Sequence, residues 1–150
     1  MHRQHVVTAA AVLVVLLSCA GNIEAASLGG AGYLTQANAL CARGVRQMKS
    51  VRTPTSTAGF EAYLKTELRL GEALLKRLAA LTPPTNLKSR VDHAFTLQRM
   101  FEQRVRLLIK ELESSSNAAA TVRRAEPRLN ALAQGAAVAW RKAGLSKCAA

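Results

Sequence analysis

The stretch "LKSRVDHAFTLQRMFEQRVRLLIKEL", residues 87–112, carries apolar side chains at Leu87, Val91, Ala94, Phe101, Val105, Leu108 and Leu112. Intervals of three, four and seven place these along one face of a helix with 3.6 residues per turn. Asp92, Arg99, Arg106 and Lys110 fall on the opposite face. A helix this long with one apolar stripe must bury that stripe against other helices, so the rest of the chain has to supply partners.

Upstream, Thr82-Pro83-Pro84-Thr85 closes the preceding segment, because the residue before a proline is pushed out of the helical region. That segment starts near Ala58 and repeats apolar or small residues at Phe60, Leu64, Leu68, Gly71, Leu75 and Leu78. Glu61 with Lys65 and Glu72 with Lys76 are set up as i,i+4 pairs on its outside. Before it, Pro54 among clustered hydroxyl residues marks a turn. A first helix is predicted from Leu34, Ala37, Cys41, Val45 and Met48, with Thr35 as its N-cap.

Downstream, residues 113–117 form the next stop, and Asn117 is placed to cap a fourth helix. Its stripe runs through Val122, Ala125, Leu129, Leu132, Ala136, Trp140 and Ala143. Gly144 stands as the residue just past the helix end, with basic Arg141 and Lys142 in the last turn. Pro127 lies away from the face of Leu129 and Trp140, so it bends the helix rather than dividing it. Four amphipathic helices joined by short turns read as an all-α, up-down-up-down four-helix bundle over residues 35–150, following an N-terminal signal segment.

Composition agrees. Of 150 residues 49% are hydrophobic and only 4% aromatic, and the stock of Ala, Leu, Arg, Lys, Glu and Gln favours helix. Lys and Arg number 21 against 9 Asp and Glu, a net charge of +12. A field of that sign attracts nucleic acid, anionic headgroups or acidic envelope polymers.

The N-terminus has the three parts of an export signal: a polar start, the apolar run "VVTAAAVLVVLL" at residues 6–17, then small residues. The run is shorter than the ~20 residues a spanning helix needs. Residues 1–25 are therefore assigned to a signal peptide or lipoprotein leader with the start of a tether, and 26–34 to a flexible tether. Two cleavage chemistries fit. "LLSC" ending at Cys19 is a lipobox-like site for thiol acylation, whereas Ser18-Cys19-Ala20 and Ile23-Glu24-Ala25 both suit ordinary signal peptidase. The expected location is extracytoplasmic, either secreted or lipid-anchored to the cell membrane, with membrane contact only through the leader or a lipid.

Either cut leaves Cys41 and Cys148 as an even pair. In an up-down-up-down bundle the start of the first helix and the end of the fourth share one end, so these two are expected to pair in an oxidising compartment. Closing so long a loop contributes about 4 to 5 kcal/mol in the chain-entropy model.

"ANALC" at residues 37–41, "LAALTPP" at 78–84 and "AGLSKC" at 143–148 resemble a group of small exported helical proteins of high-GC bacteria. Shared features are an early cysteine, a Leu-rich helix ended by paired prolines, and a last helix closing in Gly-Leu ahead of a cysteine. The resemblance implies the four-helix fold and the disulfide and carries over no active site.

Catalytic constellations are missing from the sequence. His2 and His5 lie in the leader, and His93 stands alone beside Asp92 as a surface imidazole. No Glu-x-x-His pair, C-x-x-C-H haem attachment or Gly-rich phosphate loop occurs, so no cofactor is expected. Glu111 and Glu113 lie on different sides of their helix. What remains is charge: Arg99, Arg106 and Lys110 on the third helix, and Arg123, Arg124 and Arg128 on the fourth, form a candidate anion-binding set. Sequence-specific nucleic-acid reading would need a recognition motif or exposed aromatics as well. The expectation is a non-enzymatic, exported bundle that binds or scaffolds at the envelope, with an unidentified protein or an anionic lipid or polymer as partner.

Overall fold

The structure, a computed structural model, describes residues 29–56 and 59–149. The leader, the candidate lipidation site Cys19 and the first part of the tether lie outside the described residues. Four helices follow one another: α1 (Gly30–Lys49), α2 (Phe60–Ala79), α3 (Thr85–Glu113) and α4 (Ala118–Lys142), and then a short 3-10 turn, Ser146–Ala149. This is the all-α four-helix fold the periodicity predicts. Among the described residues no helix is long and apolar enough to cross a membrane.

Contacts between helices fix the antiparallel order. Along α2 and α3, Lys65 meets Glu113 and Glu72 meets Arg106, so one helix ascends as the other descends. On α1 and α2, Gly30 faces Pro84 just beyond α2, and Gly44 faces Leu74. A Cβ at Gly44 would lie 2.7 Å from Cδ2 of Leu74, so the glycine lets the Leu74 side chain pack directly against the α1 backbone. The α3–α4 hairpin is the most extensively packed pair.

Local signals act as expected at most helix ends. The Asn117 side chain accepts a hydrogen bond from the Ala120 amide at 3.0 Å, capping α4. Gly144 takes φ 81°, a left-handed conformation that frees its amide to reach the Arg141 carbonyl and lets Leu145 N–H reach Trp140 O, each at 2.9 Å. These two bonds satisfy carbonyls that the last turn of α4 leaves open. Helix α4 runs through Pro127, which is exposed.

Three sequence expectations need correction. Helix α1 begins at Gly30 rather than at a Thr35 cap, so residues 30–34 are not tether. The physical reason is burial: Tyr33 is 1% exposed, in one cluster with Trp140 and Leu145, and Leu34 packs against that cluster. Glu72 does not pair with Lys76 but accepts from Arg106 of α3, a guanidinium offering two donors. Leu132 faces an outer hollow with Met100 and Leu107 rather than the core.

The closing side of the bundle is also built differently. Helices α1 and α4 make little direct backbone contact, and the 3-10 turn packs against both. Cys41 and Cys148 are joined there in a disulfide, with Cα atoms 4.8 Å apart across a sequence separation of 107. Asn38 of α1 holds the turn from both sides: its Nδ2 donates to Gly144 O and its Oδ1 accepts from Lys147 N, each at 3.0 Å.

The core falls into two clusters. One, at the disulfide end, is built on Tyr33, Cys41, Leu78, Val91 and Trp140, with Phe95 meeting the Trp140 ring edge to face at 5.2 Å. The other, at the far end, is built on Leu108, Leu112 and Ala125, with Phe60 and Leu64 against it. Between these clusters the interior is neither filled nor wholly apolar.

Candidate functional site

The stripe of α3 that enters the core reads Val91, Ala94, Gln98, Glu102, Val105, Ile109 and Leu112. Spacings of three and four carry a glutamine and a glutamate into positions that elsewhere on this helix hold apolar side chains. Helix α2 does the same. Its stripe reads Phe60, Leu64, Glu67, Gly71, Leu74 and Leu78, so a glutamate and a glycine occupy the middle. Because α2 and α3 are antiparallel, the two interruptions meet at one level of the bundle.

There the interior opens into two adjoining cavities of about 380 and 230 Å³ that share Met48, Gly71, Gln98 and Phe101 as walls. The larger is a cleft partly open to solvent. Helix α4 contributes Ala133 and Ala137, too small to reach across, and Trp140 closes the disulfide end. Phe101, expected in the core, is a half-buried wall of this space. The smaller cavity reaches deeper, to Leu68, Val105, Tyr63, Glu67 and Glu102. Volumes of this size suit a small organic molecule.

Polar groups in the walls are few. Trp140 Nε1 donates a long hydrogen bond, 3.4 Å, to Gln98 Oε1. Glu102 is only 5% exposed, and burial pushes its carboxyl up to about 7. The Arg106 and Arg99 charges oppose that shift, while Glu72 adds to it. Burial also raises Glu67. The Oε1 atoms of both Glu67 and Glu102 are buried without a hydrogen-bond partner among the described residues. Buried polar atoms in folded proteins are nearly always paired, so two lone carboxyl oxygens in one apolar space mark it out.

The sequence-predicted cations lie elsewhere, in several places. Arg99 sits with Cζ 5.6 Å over the Phe95 ring. Arg106 is committed to Glu72, and Lys110 is exposed further along α3. On α4, Arg123 borders a shallow hollow formed by Pro54, Ser56 and Phe60, and Arg124 makes a long contact to Thr121 Oγ1 at 3.4 Å. Arg128 flanks the hollow that holds Met100 and Arg104. The six do not converge on one point.

His93 is exposed beside Asp92, itself paired with Lys88. No three His, Cys, Asp or Glu side chains gather as metal ligands among the described residues.

Sequence reasoning missed Glu67 and Glu102 although a signal was present: both keep helical register with the apolar stripes of adjacent helices. The chain matches no protein-family model, no curated protein and no solved structure.

Proposed function

We propose that the protein is an exported, non-enzymatic bundle of the cell envelope that works by binding, and that the cleft between its two core clusters takes an apolar small molecule. The observation that carries this reading is the interruption of the core. Four helices surround a space whose walls are Met48, Leu74, Phe101, Ala137 and Trp140, with a small number of polar groups at its inner end. Apolar walls with a few placed polar groups are the usual build of a ligand pocket. Export is supported by the leader, and by the Cys41–Cys148 disulfide of a kind that persists in oxidising compartments.

Titration with Nile red, a neutral dye whose emission shifts to the blue in apolar surroundings, tests the cleft. Saturable binding at one site is expected, lost in Ala137→Phe while circular dichroism and melting temperature stay close to the parent. Dye uptake that does not saturate, or that Ala137→Phe leaves intact, overturns the reading. The intact mass of the chain isolated from its native envelope tests export and reports whether Cys19 is acylated or removed.

A second reading, association with anionic lipid or polymer, is favoured by one observation. Arg123, Arg124 and Arg128 are exposed along one end of α4 and have no carboxylate partner among the described residues. Retention on vesicles containing phosphatidylglycerol is then expected to fall steeply between about 50 and 200 mM salt, as counterion release requires. Salt-insensitive retention, or retention unchanged after all three arginines become glutamate, rules it out.

A further inference from the structure

We propose that the cleft selects apolar molecules that carry a protonated amine, held by Glu102 in the smaller cavity, which Glu67 also lines. This rests on the cleft being the binding site and names the class of molecule it takes.

The case is one of unmet hydrogen bonding. An ionised carboxylate only accepts, so the lone oxygens of Glu67 and Glu102 call for donors. No donor among the described residues makes a hydrogen bond to either, although the Tyr63 hydroxyl and the Gln98 amide line the same cavity. On Glu102's own helix, Arg106 is turned onto Glu72 and Arg99 lies over Phe95. From α2, Glu67 and Glu72 bring further negative charge, and Tyr63 lines the same space. From α1 the wall residues are Val45 and Met48, and from α4 they are Ala133, Gln134, Ala137 and Trp140, none of which is charged.

Space for a donor is present as well. Gly71 stands opposite Glu102, and even a methyl group there would lie only 3.4 Å from Oε1. No side chain of α2 covers the carboxyl on that side, and Glu102 is among the residues that line the cavity of about 230 Å³. An ammonium brings three N–H donors and a charge that compensates an ionised Glu102. An alcohol brings one donor and no charge, and a carboxylate ligand would meet repulsion. Apolar walls above the head exclude molecules that are polar throughout.

The overall charge sharpens the test. A chain of net charge +12 offers no general attraction to a cation, so any preference for an amine has to arise locally. Displacement of Nile red by octylamine, octanol and octanoate separates the contributions, since the three share a tail and differ in the head. Octylamine is expected to displace the dye at about tenfold lower concentration than octanol, in keeping with a hydrogen bond to a charged group, and octanoate least well. Because the amine binds the ionised carboxyl, its advantage grows from about pH 6 to about pH 8, while octanol displacement stays flat.

Glu102→Gln keeps the shape and removes the charge. It is expected to bring octylamine to within about twofold of octanol and to leave octanol unchanged, with Glu67→Gln giving a partial loss of the same kind. Equal displacement by amine and alcohol in the parent protein overturns the proposal while leaving the cleft reading intact. So does an amine preference that survives both substitutions. If neither octanol nor octylamine displaces the dye, the cleft reading fails first.

Discussion

A Cβ on Gly71 would lie 3.4 Å from Oε1 of Glu102, so at mid-bundle α2 yields its side-chain space to a carboxyl group of α3. Contact at that distance is ordinary. Gly71→Ala should therefore fold, and should gain up to about 1 kcal/mol of helix propensity. Larger residues must occupy the cavity itself. Gly71→Leu is expected to abolish Nile red binding while Gly71→Ala weakens it, as dye titration alongside thermal melts would show.

Glu102 makes stability depend on pH in an uncommon direction for a carboxyl. Its folded value, about 7, is above the ordinary 4.5, so the folded state holds a proton that the unfolded chain releases. The contribution is complete below about pH 4.5 and is lost as pH rises through 7. The raised Glu67 carboxyl acts in the same sense. Urea denaturation of Glu102→Gln should therefore match the parent near pH 5. At pH 8 the variant should exceed it by up to about 3 kcal/mol, the cost of ionising the buried carboxyl. A parent protein that gains stability from pH 5 to pH 8 relative to the variant would contradict this.

Much of the fold was legible in particular residues. Asn117, Gly144 and Trp140 announce a cap, a helix end and a core anchor through chemistry local to each, and the structure places them accordingly. The start of α1 was not legible, because Gly30 and Gly32 are poor local evidence for helix. Only the burial of Tyr33 against residues more than a hundred positions away makes a helix there worthwhile. Glu72 illustrates a different limit: a partner four residues on and a partner on the next helix are equally good on paper, and the geometry of α3 decides. The cleft was visible only in part, since register exposes Glu67 and Glu102 as polar intruders but says nothing about the volume left around them.

Gly44 and Leu74 should couple strongly. With Cδ2 and Cγ of Leu74 at 2.7 and 3.2 Å from an added Cβ, Gly44→Ala forces α1 and α2 apart or Leu74 into another rotamer. Overpacking of this kind costs roughly 1–3 kcal/mol, which outweighs the gain of about 1 kcal/mol in helix propensity. In a Leu74→Ala background the clash disappears, and Gly44→Ala should become neutral or stabilising. A double-mutant cycle by chemical denaturation measures the difference.

Removing the Cys41–Cys148 bond by a double alanine substitution should lower stability by roughly 2–5 kcal/mol. The intact protein should gain two daltons on reduction. Absence of that mass change in the protein isolated from its native source would mean the bond does not form.

The turn at residues 143–148 has a consequence for how the chain acquires its structure. The α3–α4 hairpin is joined by a short loop and can assemble from neighbouring residues alone, whereas α1 finds Gly144, Leu145 and Cys148 only across the greatest separation in the fold. Contacts that span long loops form slowly. During synthesis α1 leaves the ribosome first among the four helices and waits longest for its partners at residues 143–148, leaving Tyr33, Leu34 and the Cys41 thiol incompletely covered until they arrive. The first helix can pack on α2 early, but its disulfide-end face is covered last, so vulnerability to aggregation and to wrong disulfides persists until residues 143–148 have been made.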